Sequence, residues 1–294
     1  MRFNSKILLF GEYSVLHGSD ALLMPFPEYS GYFDFYSNFN NPSPKELTSN
    51  QSLVQFMDYI LKSEVKGIID IDGLSRDLSQ GLYFKSDIPS GYGLGSSGAL
   101  VAAFYHRYFR PVKDDLSVTK QNLATLESFF HGSSSGLDPL VCYMNKPILQ
   151  TNGSVDAFDF QISAIKPFFI DTGISRSTTN LVSVFKQKSS SPEFMELINN
   201  DLVRLNNLAL NRFLSGQKND FFAAVKELSQ FQLIHLSEMI LPDLLSIWKD
   251  GIETDEYFLK LCGAGGGGFL LGFAKDEKTT DYLMKKHQIK IVSI

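Results

Sequence analysis

Residues 89–99 form a dense run of glycine and serine, which reads Pro89-Ser90-Gly91-Tyr92-Gly93-Leu94-Gly95-Ser96-Ser97-Gly98-Ala99. Glycines at alternate positions have no side chain and tolerate positive φ, so successive backbone N–H groups can converge on one anion. The run leads into a predicted helix, whose free N–H groups and positive dipole end favour phosphate. Four glycines and two serines within residues 91–98 exceed what a plain strand-to-helix turn requires. The run therefore predicts a phosphate-binding loop.

Residues 93–98 also match the pattern G-x-G-x-x-G, which alone is a weak signal. A dinucleotide site would need a βαβ unit with an acidic residue ending its second strand. Asp114 and Asp115 lie near the required distance, but they follow Pro111 in a predicted loop. The sequence has no Gly-Lys-Ser/Thr of a Walker A loop and no protein-kinase motif set. A dehydrogenase stays open only through the glycine pattern, and a preference for ATP over NAD would exclude it.

A second glycine run follows near the C-terminus and reads Cys262-Gly263-Ala264-Gly265-Gly266-Gly267-Gly268-Phe269. Apolar, strand-like segments flank it on both sides. Such a run is typical of a hairpin that packs closely on another backbone. We expect it to approach either a ligand or the first glycine run.

The composition is that of a globular protein. A chain of 294 residues predicts about two domains, and 44% hydrophobic with 20% charged residues exclude a disordered or fibrous protein. A net charge of −5 argues against nucleic acid as a partner. Two cysteines, Cys142 and Cys262, are too few for a disulfide framework and are expected to be core thiols in a reducing compartment. We interpret the 25 phenylalanines as core filling. Any phenylalanine-rich surface would support a homodimer.

No apolar run approaches the roughly 18 residues of a membrane span. The N-terminal run Ile7-Leu8-Leu9-Phe10 is shorter than the roughly 7 to 15 residues of a secretory h-region. We therefore expect a cytoplasmic protein without a membrane partner.

The pattern of apolar residues predicts a mixed α+β protein with domains at 1–165 and 166–294. A loop is expected at 38–44, and the helix that starts near 119 is expected to have Ser117 or Thr119 as its N-cap. Helices are predicted at 52–61, 99–109, 119–130, from 137 onward, 178–187, 193–214, 220–236, 243–249 and 276–287. Strands are predicted at 81–85, 147–151, 157–162, 168–171, 259–262, 269–274 and 289–294.

Three charged residues are candidates for phosphoryl transfer, which needs few protein groups beyond positioning, cations and a proton acceptor. Asp138 lies at a predicted helix N-terminus, where the dipole favours its charge, although such carboxylates are commonly caps. Glu127 is either a surface residue or a metal ligand, and Lys6 either a solvated strand end or a cation in the site. The histidine spacing disfavours a zinc site. The residues alone leave these alternatives open.

Five segments in order resemble the motifs of GHMP kinases, most of all those of mevalonate kinases. Residues 6–18 are similar to K-x-x-L-x-G-E-H-x-V-x-x-G, residues 89–99 to P-x-x-x-G-L-G-S-S-A-A, and residues 263–268 to the third motif. Residues 127–138 are similar to E-x-x-x-H-G-x-P-S-G-I-D, and residues 171–178 to D-T-G-x-x-x-S-T. A single match would be weak, but five in the family's order form a strong resemblance.

The resemblance implies the GHMP kinase fold, with an N-terminal domain like the second domain of ribosomal protein S5 and a ferredoxin-like C-terminal domain. It also implies a kinase that uses ATP and Mg²⁺ to phosphorylate the primary hydroxyl of mevalonate, in isoprenoid precursor synthesis. Asp138 would then be the base, and Lys6 would lower the pKa of the acceptor hydroxyl and keep Asp138 ionised. Ser97 and Glu127 would bind Mg²⁺, which prefers oxygen ligands.

The resemblance further assigns binding residues. ATP would contact Pro89, Gly91, Gly93, Leu94, Gly95, Ser96 and Ser97. The acceptor pocket would include Glu12, Tyr13, Ser135, Thr178 and Gly265.

Three residues depart from the motifs: Tyr13 replaces a histidine, Ser134 replaces a proline, and Gly98 replaces an alanine. The first and last of these bear more on the substrate than on the reaction. A related kinase of phosphomevalonate, homoserine or a sugar stays open, as does a non-catalytic ligand sensor on the same fold. Arg176 is the one cation near a predicted pocket segment, which favours an unphosphorylated acceptor.

Overall fold

The structure is a computed structural model that describes residues 1–110, 115–159, 165–175 and 178–293. Its strands are β1 Phe3–Phe10, β2 Ala21–Phe35, β3 Leu82–Ser86, β4 Ile148–Thr151, β5 Ser154–Ala157, β6 Pro167–Asp171, β7 Tyr257–Lys260, β8 Phe269–Ala274 and β9 Lys290–Ser293. Its helices are α1 Pro44–Ile60, α2 Ile71–Ser79, α3 Ser96–Tyr108, α4 Leu116–His131, α5 Leu137–Met144, α6 Thr178–Lys188, α7 Pro192–Leu197, α8 Val203–Leu214, α9 Lys218–His235, α10 Leu245–Thr254 and α11 Glu277–His287.

The first antiparallel sheet is organised around the long strand β2. β2 pairs with β1 through residues 22–31, with β3 through its C-terminal end and with β4 through its N-terminal end, and β5 continues beyond β4. Helices α3 and α5 pack against β1 and β2. This packing brings the N-terminus of α3, which follows the first glycine run, close to β1.

The second antiparallel sheet has the order β7-β8-β6-β9. β6 to β8 are rich in phenylalanine and leucine, and their residues are almost entirely buried. The second glycine run connects β7 to β8. The first sheet thus comes from residues 3–157 and the second from residues 167–293, while the predicted division at 165 stays a prediction.

Phenylalanine fills the core, as expected from its abundance. Phe10 of β1 lies against Phe213, Phe221 and Phe273, with ring centroids between 5.5 and 6.4 Å apart. One buried cluster therefore joins residues of both sheets. Within the described ranges, no helix combines the length and apolar character that crossing a bilayer would require.

Two helices begin earlier in the chain than the sequence predicted, because their N-cap residues lie earlier. Helix α1 begins at Pro44 rather than near 52, because Ser43 and Glu46 form a capping box ahead of it. Helix α4 is capped by Asp115, whose carboxylate accepts from two backbone N–H groups, and not by Ser117 or Thr119.

The other differences concern two strands, one helix that was not predicted, and one predicted helix that is interrupted. The prediction missed β2, which contains Pro25 and Pro27, residues that normally argue against a strand. It also missed α2. The strand expected at 157–162 is β5 at Ser154–Ala157, and residues 160–162 of that prediction lie outside the described part. The helix predicted at 193–214 is α7 and α8 joined by a π-helical turn at Ile198–Leu202.

Candidate active site

The first glycine run forms the tight approach to helix α3 that the sequence predicted. Gly91, Gly93 and Gly95 have φ values of 76°, 71° and 73°. A Cβ at Gly95 would lie 2.8 Å from Cγ of Lys6, so only glycine allows this contact. The backbone N–H of Lys6 donates to the carbonyl oxygen of Leu94 at 2.9 Å, which fixes β1 beside the run.

Lys6 and Asp138 form an ion pair at one side of this run. Nζ of Lys6 lies 2.8 Å from Oδ2 of Asp138, whose side chain remains 36% exposed. Burial alone would lower the pKa of the Lys6 ammonium, but the charge and hydrogen bond of Asp138 outweigh it and raise that pKa above its ordinary value. The pair is thus a fixed positive charge beside a carboxylate that solvent can reach.

Helix α5 carries Asp138, and Gly98 explains how α5 reaches the site. A Cβ at Gly98 would lie 3.0 Å from the backbone carbonyl carbon of Asp138. The glycine that departs from the motif therefore allows α3 and α5 to pack closely at the base of the ion pair.

Glu127, near the C-terminal end of α4, lies on the other side of the α3 N-terminus. Its carboxylate accepts hydrogen bonds from the hydroxyls of Ser97, at 3.2 Å, and Ser134. Burial, together with the nearby charge of Asp138, raises the pKa of Glu127 to about 7. Nε2 of His131 lies 3.0 Å from the same Ser97 hydroxyl. These groups form a compact cluster of two hydroxyls, one carboxylate and one imidazole.

A cavity of about 570 Å³ opens between these elements. Its wall includes the first glycine run, Lys6, Asp138, His131, and the backbone of Gly263 and Ala264. The structure thus brings the predicted base, its lysine partner and the predicted phosphate loop to one cavity.

The two glycine runs contact each other, as expected. A Cβ at Gly268 would lie 2.8 Å from the carbonyl oxygen of Tyr92. Residues that follow β6 fasten this contact, because Oγ1 of Thr172 donates to the carbonyl oxygen of Gly268 and Oγ of Ser175 donates to that of Ser90.

The residues predicted for the acceptor pocket have more varied positions. Ser135 is exposed just before α5. Tyr13 is buried, and its hydroxyl donates to the carbonyl oxygen of Ala264 at 2.7 Å. A Cβ at Gly265 would lie 2.2 Å from the carbonyl oxygen of Met239, so this glycine serves a close backbone contact. Thr178 begins α6, but its side chain, like all of Arg176, lies outside the described part.

Glu12 is not among the residues that line the cavity. It is 3% exposed and pairs with Lys260, which ends β7. Its predicted contact with the acceptor is therefore indirect in this structure.

Comparison with known proteins identifies proteins to which this chain is similar. The family model for the GHMP kinases N-terminal domain matches residues 58–146. The mevalonate kinase of Thermococcus sibiricus is 26% identical, over 94% of this chain and 89% of its own length. The chain has the GHMP kinase fold. The predicted α+β fold class and the resemblance to GHMP kinases are both confirmed.

Solved structures share this GHMP kinase fold at low identity. One is the L. major mevalonate kinase in complex with R-mevalonate, with a TM-score of 0.64 and 21% identity, covering 99% of this chain and 94% of that one. Another is the Streptococcus pneumoniae phosphomevalonate kinase, with a TM-score of 0.66 and 17% identity, covering 100% and 98%. The fold is thus shared by kinases of two different acceptors.

Two residues of this candidate site were missed by the sequence analysis. Ser134 was noted only as a departure from the motif, yet its hydroxyl donates to Glu127 and accepts from the N–H of Gly136. Lys260 was missed although it is a single charge in the apolar stretch 257–262. A lone charge in a buried strand is a signal of a buried partner.

Proposed function

We propose that this GHMP kinase-fold protein transfers the γ-phosphate of ATP to the primary hydroxyl of mevalonate. The observation that carries the proposal is the ion pair of Lys6 and Asp138, 2.8 Å apart, on the same cavity as the first glycine run. The similarity to mevalonate kinases over nearly the whole chain supports mevalonate as the acceptor.

Asp138 is positioned to take the proton of the acceptor. Its side chain lines the cavity and pairs with Lys6. As the acceptor oxygen forms its bond to the γ-phosphorus, its proton passes to Asp138, and the bond from that phosphorus to the leaving ADP oxygen breaks. The Lys6 ammonium stabilises the negative charge on the acceptor oxygen during this step.

The first glycine run is suited to the phosphates of ATP. Its positive-φ glycines allow successive N–H groups to converge on one anion, and α3, whose positive dipole end favours phosphate, begins at Ser96 on this cavity. Pro89, Gly91, Gly93, Leu94, Gly95, Ser96 and Ser97 all line this cavity. Positioning by these groups is the main contribution that a kinase of this type needs.

Ser97 and Glu127 fit a magnesium ion that arrives with ATP. Mg²⁺ commonly takes one or two protein oxygens and completes its shell with phosphate and water. Oγ of Ser97 and Oε1 of Glu127 lie 3.2 Å apart at the α3 N-terminus, which matches that limited donor set. Across the described ranges, no group of three or more His, Cys, Asp or Glu could form an independent metal site. When bound, Mg²⁺ would neutralise charge on the phosphates.

A different acceptor is the second candidate, and Tyr13 favours it. The motif has histidine at this position, whereas the Tyr13 hydroxyl is committed to Ala264 and its ring stacks on Phe185 at 4.3 Å. The acceptor pocket therefore differs from that of the motif. Phosphomevalonate, homoserine and sugars are the alternatives.

Two further alternatives are disfavoured. A ligand sensor on this fold would not need a lysine–carboxylate pair held on the cavity. A dehydrogenase would need an acidic residue at the end of a second strand after the glycine run. Asp115 instead caps α4, and Asp114 lies outside the described part.

The test is a coupled assay of ADP release with Mg·ATP. The acceptors are mevalonate, phosphomevalonate, homoserine and galactose, and Asp138→Asn is the blank. We expect release with mevalonate only, and none above background with the variant. Release with another acceptor alone would keep the kinase and reject mevalonate. Silence with all four, together with measurable ATP binding, would reject the proposal.

A further inference from the structure

Glu12 and Lys260 form an ion pair away from solvent that phosphoryl transfer does not use. Oε1 of Glu12 lies 2.7 Å from Nζ of Lys260, and the two side chains are 1% and 0% exposed. Nζ of Lys260 also donates to the carbonyl oxygen of Leu261 at 2.8 Å and lies 5.4 Å from the ring centroid of Phe10. Lys260 ends β7, and Glu12 follows β1, so the pair joins the two sheets.

This pair lies beside the start of the second glycine run, whose Gly263 and Ala264 line the cavity. Nζ of Lys260 donates to the carbonyl oxygen of Leu261, while the hydroxyl of Tyr13 donates to that of Ala264. Glu12, through Lys260, and its neighbour Tyr13 thus connect the N-terminal segment to the first residues of this run. The opposite end of that run is held separately, since Gly268 contacts Tyr92 and Thr172.

We infer that Lys260 is a positioning residue, which ties Glu12 to the backbone of Leu261 and thereby fixes the Gly263–Ala264 wall relative to Lys6 and Asp138. The inference deepens the proposed function, because this wall faces the groups that act on the acceptor hydroxyl. Glycine-rich backbone has many accessible conformations, so a wall made of it needs fixed contacts to keep one shape. Lys260 supplies the charge that keeps Glu12 in place.

Stability alone does not account for such a pair. An apolar pair of similar volume is often as stable as a buried ion pair, whereas loss of one partner leaves a costly unpaired charge. The pair does add direction, because an ammonium with a fixed counter-ion can orient a backbone carbonyl group, here that of Leu261. The geometry therefore points to a role in shaping the wall.

The direct test is amide hydrogen exchange of peptides that cover residues 261–268, in the full chain without ligands. Lys260→Met keeps the length of the side chain and removes its charge. Lys226→Met is the matched control, because Lys226 pairs with Asp255 at 2.6 Å on the surface. We expect exchange in residues 261–268 to accelerate by about tenfold or more in Lys260→Met and to stay unchanged in the control.

The double variant Lys260→Met/Glu12→Gln separates positioning from simple charge compensation. It leaves no unpaired charge, so we expect its melting temperature to recover most of what Lys260→Met loses. If Lys260 positions the wall, fast exchange in residues 261–268 persists in the double variant. If melting temperature and exchange both return to wild-type values, the pair only compensates charge and the inference is wrong. This variant also provides the test where Lys260→Met does not fold.

Kinetics add a second arm that depends on the proposed function. With whichever alcohol the wild type phosphorylates, we expect the double variant to raise the acceptor KM by about tenfold and the ATP KM by less than about threefold. Equal changes in both, with normal exchange, would contradict a role in the wall. If the wild type phosphorylates none of the four acceptors, the proposed function fails while the exchange result still decides the role of Lys260.

Discussion

Two lysine–carboxylate pairs involve the N-terminal segment, one through Lys6 within β1 and one through Glu12 just after β1, and they differ in solvent contact rather than in distance. Lys6 and Asp138 are 2.8 Å apart, and Lys260 and Glu12 are 2.7 Å apart. The Asp138 side chain is 36% exposed, while that of Glu12 is 1% exposed. A carboxylate open to the cavity can exchange a proton with a substrate, whereas an enclosed one can only hold its neighbours.

The comparison teaches that contact distance does not reveal the role of an ion pair. The cavity pair has a free side on which an acceptor hydroxyl can bind, and it lies beside the first glycine run. In the enclosed pair, Nζ of Lys260 donates its further hydrogen bond to the carbonyl oxygen of Leu261. The cavity pair is therefore suited to proton transfer with a substrate, and the enclosed pair is suited to holding the backbone beside the cavity.

A large loss of turnover is expected from Lys6→Met. This variant removes the cation that stabilises the transferring charge but leaves Asp138 partly solvated. We expect kcat to fall by about 10²- to 10³-fold, with a melting temperature only a few degrees lower. Steady-state kinetics and thermal unfolding of the same preparations measure both. A kcat within threefold of the wild type would remove Lys6 from the chemistry.

A smaller effect is expected from Glu127→Gln in protein kept free of divalent metal by EDTA. The folded pKa of Glu127, about 7, exceeds its ordinary value of 4.5, so the folded state binds the proton more tightly than the unfolded state. The favourable contribution of Glu127 to the free energy of unfolding is complete below about pH 4.5. It is lost as the pH rises through 7.

Glutamine imitates the protonated form, so the variant should not suffer this loss. We expect it to be more stable than the wild type at pH 8, by on the order of 3 kcal/mol, and equal to it near pH 5. Thermal unfolding across this pH range checks the difference. A variant that is less stable than the wild type at pH 8 would show that the charged carboxylate is favoured in the folded protein.

The smallest effect is expected from Tyr13→Phe. The ring would keep its stacking on Phe185, but the carbonyl oxygen of Ala264 would lose a donor. We expect a loss of about 1 to 2 kcal/mol in stability and a rise of a few fold in the acceptor KM. Tyr282→Phe serves as the control, because Tyr282 is 50% exposed. If Tyr13→Phe behaves like the control, Tyr13 does not support the wall.

Local motifs explain why much of the site could be predicted from the sequence. The glycine run at 89–99 is contiguous, so its path and the helix that follows depend on nearby residues. The α+β class and most helices followed from apolar periodicity. The start of α1 was also present in the sequence, as Ser43, Pro44 and Glu46, but this capping signal was read as part of a loop.

Other features could not be predicted because they depend on contacts between distant segments. The pairing of Glu12 with Lys260 arises only when β1 and β7 pack together. The proximity of Lys6 to Asp138 was inferred from the family resemblance and not from their spacing in the sequence. The strand β2 forms despite Pro25 and Pro27, because pairing with β1, β3 and β4 overrides the local preference.

The most direct test of the central claim is the same carboxylate-to-amide change at both pairs, with kcat and melting temperature measured for each. For Asp138→Asn we expect kcat to fall by about 10³-fold or more with a melting temperature within about 2 °C of the wild type. For Glu12→Gln we expect the melting temperature to fall by roughly 5 to 10 °C, and kcat, measured well below that midpoint, by less than about tenfold. Near-normal turnover of Asp138→Asn, or an equal loss of stability in both variants, would contradict the account.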